Sequence, residues 1–318
     1  MSFMRGRGAI FLSSRHAYRG RTALGGWLIV AGCWLAWTFG PATVAVGQTD
    51  ADASPQRIVS VGPNATEVIC ALGACDRIVG VSKFCTFPPE VNERPRVGGL
   101  FDPDLERIVA LQPDVVVLRG HSESLEALCA DRNIRLFFDE TETLRDVERS
   151  IAALGQLLGR EEVAERLRKT FALRVGEIRE GVANRPRPRV LVTISRQPGR
   201  VAEVMTAARG SFLSDMIELC GGTNLFAELD IPYPQVSAEA ILARRPEVIL
   251  ELMPEAESSP VLRQAVLDDW ARLGPMPAVG AGRVHVICDD HVLIPSPRYV
   301  EILERVSRLL HTEAPCGR

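Results

Sequence analysis

A phrase that the chain writes twice constrains the architecture more than any other feature. At Asp104 it reads DLERIVALQPDVVVL and at Ser237 it reads SAEAILARRPEVILEL. Aligned without a gap, Glu106 falls on Glu239, Ile108 on Ile241, Ala110 on Ala243, Pro113 on Pro246, Asp114 on Glu247 and Val115 on Val248. Each copy reads as an N-capping residue, a short helix, a proline that ends it and an apolar strand. Glu106 and Glu239 are 133 residues apart, a domain's length and not the period of a solenoid. The chain is therefore predicted to form two lobes of similar build, each carrying one acidic helix start.

Composition sets the outer bounds. The 318 residues are 46% hydrophobic and 24% charged, enough for two cores, and the formal net charge of −3 leaves no footprint for nucleic acid. No Asp or Glu occurs before Asp50, while Arg5, Arg7, Arg15, Arg19 and Arg21 precede an apolar run from Leu24 to Phe39 and the small residues Ala45-Val46-Gly47. That order is a secretory signal peptide, with cleavage expected after Gly47. Two other readings are a lipid on Cys33, in the box Val30-Ala31-Gly32-Cys33, and an uncleaved membrane anchor. All three place the body of the protein in an exported, periplasmic setting. Seven of the eight cysteines lie beyond residue 47, an odd number at spacings that match no zinc site. Cys70, Cys129 and Cys220 sit in apolar helical contexts, and a disulfide from Cys70 or Cys75 to Cys85 is permitted.

The chain divides into five expected segments: residues 1–47 as signal or anchor, 48–56 as linker, 57–142 as an N-terminal α/β lobe, 143–184 as a helical strut, and 185–318 as a C-terminal α/β lobe. The first lobe opens with the strand from Arg57, a turn in which Asn64 is expected to cap a helix with Glu67 at its third position, and a second strand from Arg77. Strand–helix–strand order implies a parallel sheet. The loop Ser82–Gly99, rich in Pro and Phe, is long and rigid. From Thr143 to Ala183 apolar residues recur at helical spacing, with Gly159 as a potential joint. In the second lobe, Ser195–Gly210 reads as a loop.

No nucleophile elbow, P-loop, metalloprotease motif or dinucleotide fingerprint is present, so no catalytic residue, metal site or enzymatic activity is expected. Of the histidines beyond residue 47, His285 is expected to face the surface and His291 to sit in a loop after Asp289-Asp290. Ligands in open α/β sheets sit beyond the carboxyl ends of the strands. Two facing lobes would gather Pro63, Asn64, Phe84, Phe101 and Arg119 from the first, and Arg196, Tyr233, Asp290 and His291 from the second. Such a mixed aromatic and polar cleft suits a bulky, partly apolar ligand. Glu106 and Glu239 admit two readings: helix-start carboxylates favoured by the helix dipole, or matched charges for the arginines of a twofold-symmetric partner.

The motifs RIVSVGPNATEVICALG, IVGVSKFCTFPPEV, PRVGG, LERIVALQPDVVVL, GSFLSDMIELCGGTNLF, YPQVSAEAIL and SPR, in this order, resemble the periplasmic substrate-binding proteins of ABC importers for cobalamin, ferric siderophores and haem. The resemblance covers Arg57 to Leu310. It implies an α/β fold of two Rossmann-like lobes with mainly parallel sheets, joined by a long linker α-helix, with ligand between them. It implies a monomer with no cofactor, docked through Glu106 and Glu239 on a dimeric inner-membrane permease. GVSKFCTFPPE and YPQVS are most similar to the cobalamin-binding members, where Phe84 and Tyr233 would stack on the corrin, with Phe101 or Leu100 and the Asp290 loop completing the site. The sequence departs from that pattern in tryptophan: Trp27, Trp34 and Trp37 lie in the signal, leaving Trp270. A haem ligand would call on Tyr233, Tyr299, His121 or His291, and an anionic siderophore on Arg119 and Arg196. An exported enzyme or an anchored sensory domain are the readings from other classes.

Overall fold

The computed structural model describes residues 54–197, 199–254 and 259–312; the expected signal, its cleavage point and Cys33 lie outside the described residues. The first lobe comprises β1 (Ile58–Ser60), α1 (Pro63–Ala71), β2 (Ile78–Val81), α2 (Leu105–Ala110), β3 (Val115–Leu118), α3 (Glu123–Arg132) and β4 (Arg135–Phe138). Its sheet is wholly parallel in the order β2-β1-β3-β4. Two helices follow, α4 (Leu144–Leu158) and α5 (Glu161–Val182). The second lobe holds β5 (Arg189–Thr193), β6 (Ser195–Arg196), β7 (Glu203–Met205), α6 (Phe212–Leu219), β8 (Thr223–Asn224), β9 (Gln235–Ser237), α7 (Ala238–Arg244), β10 (Val248–Leu252), α8 (Pro260–Leu273), α9 (Pro277–Gly280), β11 (Val284–Ile287) and α10 (Val300–His311). Its main sheet is parallel in the order β11-β10-β5-β8, and β6-β7-β9 form a small antiparallel sheet. Among the described residues no helix is long and apolar enough to cross a membrane.

The repeated phrase builds the same piece in each lobe. Asp104 caps α2 by accepting the Arg107 N–H, and Ser237 caps α7 by accepting the Ala240 N–H. Each helix runs out into a left-handed residue just before the proline, Gln112 at φ 47° and Arg245 at φ 51°. A residue before proline is excluded from the α region, so the helix cannot continue there. The aligned acids Asp114 and Glu247 do the same job: Asp114 accepts the N–H groups of Gln56 and Arg57 at 2.8 Å, and Glu247 accepts the N–H of Arg189 at 2.7 Å. Each thereby pins the start of its lobe's first strand, β1 or β5. The strands that follow, β3 and β10, are interior to their sheets, which is why both are buried on both faces, β3 wholly apolar and β10 apolar except at Glu251.

The lobes share one core. Val147, Ile151 and Leu154 of α4 pack in a single apolar cluster with Val68 and Ile69 of α1, Leu213 and Met216 of α6, and Leu303 and Val306 of α10. The other sheet faces close smaller cores, Val59, Val116 and Ile108 in the first lobe and Leu191, Ile249 and Trp270 in the second. The strut is two helices: Gly159 adopts φ 63°, and Gly155 lies so close to Ala164 that a Cβ there would sit 2.4 Å from that methyl. α4 is buried beneath both lobes while α5 covers it, so the connection is part of the core and not a tether.

Four expectations change at this level. Gly62, not Asn64, is the N-cap of α1, with Pro63 in its first turn. Pro63 fits there because its missing N–H is an orphan donor in any helix. Glu67 makes no capping box, because its carboxylate is turned to the second lobe. The disulfide joins Cys70 to Cys75, leaving Cys85 a buried thiol against Thr66 and Ser82. Ser195–Gly210 is not only loop: it contains β6 and β7, with β9 pairing alongside.

Candidate functional site

Where the chain crosses from β4 into α4, a polar group from both lobes comes together. Arg119, just beyond β3, donates to Glu142 at 3.3 Å. Asn64 in α1 donates through Nδ2 to Asp139 at 2.6 Å. Asp215 of α6 accepts the Leu144 N–H at 3.0 Å and so ties the second lobe to the start of the strut. Tyr233 completes the group from the second lobe. Its phenol is pushed up to about 12 by burial, then by the neighbouring Glu142 and Asp215, with Arg119 opposing. Burial likewise raises the Asp139 and Asp215 carboxyls. Gly62 leaves room here: a Cβ would fall 2.9 Å from Asn64 Oδ1 and 3.4 Å from the Arg119 Cβ. The structure thus brings Asn64, Arg119 and Tyr233 together, around a chain crossing whose carboxylates outnumber its guanidinium.

Phe84 and Phe101 lie on exposed loops of the first lobe. Phe84 is 57% and Phe101 94% exposed, both open apolar faces. Lys83 lies 5.3 Å from the Phe84 ring and pairs with Asp102 at 2.6 Å, which holds the two aromatic loops against each other. Pro63 is half-buried at the start of α1. Arg96 stiffens the loop from beneath by donating to the carbonyls of Ser82 and Cys85.

Arg196 was expected to offer a free cation, and it does not. Its side chain is 5% exposed, donating to Glu251 at 2.6 Å and Asp269 at 2.8 Å, while Glu251 also accepts from the Trp270 indole at 3.0 Å. Glu251 lies on the α8 face of β10, between apolar neighbours, where a carboxylate without a partner would be prohibitive. A cavity of about 760 Å³ opens beside this cluster, lined by Ile194, Leu252, Met253, Leu262 and Leu293 as well as Arg196. The signal in the sequence is the single Glu in the run Val-Ile-Leu-Glu-Leu, which demands a buried cation.

Asp290 and His291 form a third group. His291 is buried, with Nδ1 2.8 Å from Asp290, so it is not a solvated loop histidine. Burial raises the Asp290 carboxyl, but His291 and Arg298 together hold it below the usual range. Arg298 and its partner Glu67 are the residues that sequence reasoning missed here. His285, expected at the surface, is half-buried on β11 with Nε2 unpartnered, and burial beside Arg283 lowers its pKa.

Glu106 and Glu239 occupy the same second helical position of α2 and α7, and both are exposed. Hydrogen bonds from its own N–H and from Ser237 hold the Glu239 carboxyl low, keeping it ionised.

The periplasmic binding protein family profile matches residues 58–290. The chain belongs to this family of ABC-importer substrate-binding proteins. A vitamin B12-binding protein of Vibrio cholerae is 29% identical over 257 residues, covering 80% of this chain and 89% of that protein. One from Pectobacterium carotovorum is 31% identical over 223 residues, covering 69% and 76%. Among solved structures, a periplasmic vitamin B12-binding protein of Vibrio cholerae superposes with TM-score 0.69 at 28% identity, covering 81% of this chain and 97% of that one. A periplasmic haem-binding protein of Pseudomonas aeruginosa does so with TM-score 0.72 at 26% identity, covering 82% and 94%. As in these periplasmic binding proteins, two α/β lobes flank a helical connection.

Proposed function

We propose that this periplasmic binding protein captures cobalamin or a related corrinoid and delivers it to the permease dimer of an ABC importer, docking through Glu106 and Glu239. One observation carries the choice of ligand. Every guanidinium among the candidate ligand residues, and the one that braces them, is already neutralised: Arg119 by Glu142, Arg196 by Glu251 and Asp269, and Arg298 by Glu67 and Asp290. A carboxylate-bearing ligand would have to compete with these partners, and at Arg196 and at Arg298–Glu67, where the carboxylates are buried, separating the pair leaves a charge unpaired. A corrinoid presents neutral amides and an apolar rim, which suit open Phe84 and Phe101 faces and a Tyr233 that donates as a neutral phenol. The likeness to haem-binding structures favours haem as the second reading. The Tyr233 phenol, held protonated by burial, argues against its use as a phenolate ligand to iron.

Calorimetric titration of the purified protein with cyanocobalamin, haem and a ferric catecholate siderophore tests this. Saturable micromolar or tighter binding of cyanocobalamin alone is expected. Absence of cyanocobalamin binding, with tight binding of either anionic ligand, overturns the reading.

A further inference from the structure

We infer that Arg298 is a positioning residue for the ligand cleft: it locks the first lobe to the Asp290–His291 loop through Glu67. The carboxylate of Glu67 lies in α1, 3% exposed, with no solvent to compensate it. Arg298 approaches it side-on, Nε to Oε2 at 2.9 Å and Nη2 to Oε1 at 2.8 Å, and the Ser296 hydroxyl donates to Oε2 at 2.5 Å. The third nitrogen, Nη1, reaches Asp290 Oδ1 at 3.2 Å, and that oxygen also meets His291 Nδ1. The guanidinium lies 4.0 Å above the Phe87 ring, which closes its remaining face. One planar cation therefore joins three things: α1 of the first lobe, the loop that carries Phe84 and Phe87, and the Asp290 loop of the second lobe.

This geometry is more specific than a stabilising ion pair needs to be. Glu67 and Arg298 are 231 residues apart, and, strut aside, their contact ties one lobe directly to the other. A bidentate fork fixes the orientation of both partners, which a lysine cannot do. Asp290 is exposed, so its rotamer would be free without Nη1 and His291. The lock thus sets at once the separation of the lobes and the aim of one polar ligand contact. Such preorganisation lowers the ordering cost of binding without adding a ligand contact.

Hydrogen exchange and cyanocobalamin titration of full mature protein test the inference in Arg298→Lys, Glu67→Gln, Asp290→Asn and the double variant Arg298→Lys with Asp290→Asn. In the ligand-free protein, Arg298→Lys should raise exchange in segments 84–92 and 288–296 by about tenfold while β3 and β10 stay protected, the signature of a local opening. Glu67→Gln, which keeps the hydrogen-bonding shape, should do so by less. Each of Arg298→Lys and Asp290→Asn should weaken cyanocobalamin binding by about tenfold, and the double variant by little more, because one acts through the other. Additive losses, or exchange that rises uniformly or in one segment alone, would overturn the inference. The titration rests on the corrinoid reading, and the exchange does not. If the wild type fails to bind cyanocobalamin, that reading falls while the two-segment exchange pattern still decides the lock.

Discussion

Replacing Arg196 with methionine separates a structural role from a ligand role at a position where the sequence suggested the second. The substitution keeps the aliphatic bulk and removes the cation from between Glu251 and Asp269, both within 2.8 Å of it and both buried. Removing one partner of a buried pair costs about 3–5 kcal/mol, because the remaining charge stays uncompensated. For a chain of this size each kcal/mol lowers the melting temperature by roughly 2–4 °C, so a fall of about 6–20 °C is expected by circular dichroism. Its pH dependence follows from Glu251, whose carboxyl is raised by burial and held down by Arg196. Without Arg196 it rises further. A carboxyl whose pKa is higher folded than unfolded loses stability as pH climbs from the unfolded value, about 4.3, through the folded one. The deficit should therefore be largest near pH 8 and shrink toward pH 5. A fall of under about 2 °C would refute the burial argument. An unchanged melting curve with a tenfold weaker ligand affinity would place Arg196 in the ligand site instead.

Glu106→Ala with Glu239→Ala should abolish uptake in a transport-dependent growth assay while ligand affinity stays within about twofold, since both side chains are exposed at helix starts and neither is among the proposed ligand contacts; a collapse of affinity would return them to the cleft. Phe84→Ala and Tyr233→Ala should each weaken cyanocobalamin binding by roughly tenfold or more, the scale of a lost aromatic face, and calorimetry that finds either change neutral removes that ring from the site. Cys70→Ala with Cys75→Ala opens a short loop and should cost about 2 kcal/mol, read as a lower denaturant midpoint. Asp139→Asn removes a carboxyl that burial raises. The wild type loses that group's contribution as pH rises above its unfolded value, so the variant's relative stability should improve between pH 4 and 7 in denaturation curves; the opposite slope would show that Asp139 gains more from Asn64 and Arg119 than it loses to burial.

The repeated phrase was legible because it is local. A cap, a pre-proline stop and a strand are each written within a few residues, and both copies fold as read; that the aligned acids pin β1 and β5 emerges only in the fold. The parallel sheets followed from strand and helix alternation for the same reason. The hairpin β6–β7 escaped because its strands are two and three residues long, too short for periodicity to register. Glu67 was misassigned because Asn64 and Glu67 have capping-box spacing. The true partner of Glu67 is 231 residues distant, and no local pattern announces it. Arg196 failed likewise, since a cation in a loop looks free until the strand carrying Glu251 is laid beside it.

These failures share a physical origin that bears on how the protein works. Local chemistry makes each lobe, but the relation between lobes is set by long-range contacts: the α4 core, Asp215 on the Leu144 N–H, and the Glu67–Arg298 fork. Each is buried or nearly so, and each would have to break for the lobes to swing wide. Two exposed glutamates at matched positions can report to a twofold partner only if their spacing is held. A binding protein that relied on a loose hinge would vary that spacing with every fluctuation. On the docking proposed above, the same buried contacts that tie the lobes together also hold the separation of Glu106 and Glu239, so that loosening the Arg298 lock should reduce transport even at saturating ligand, with both glutamates intact.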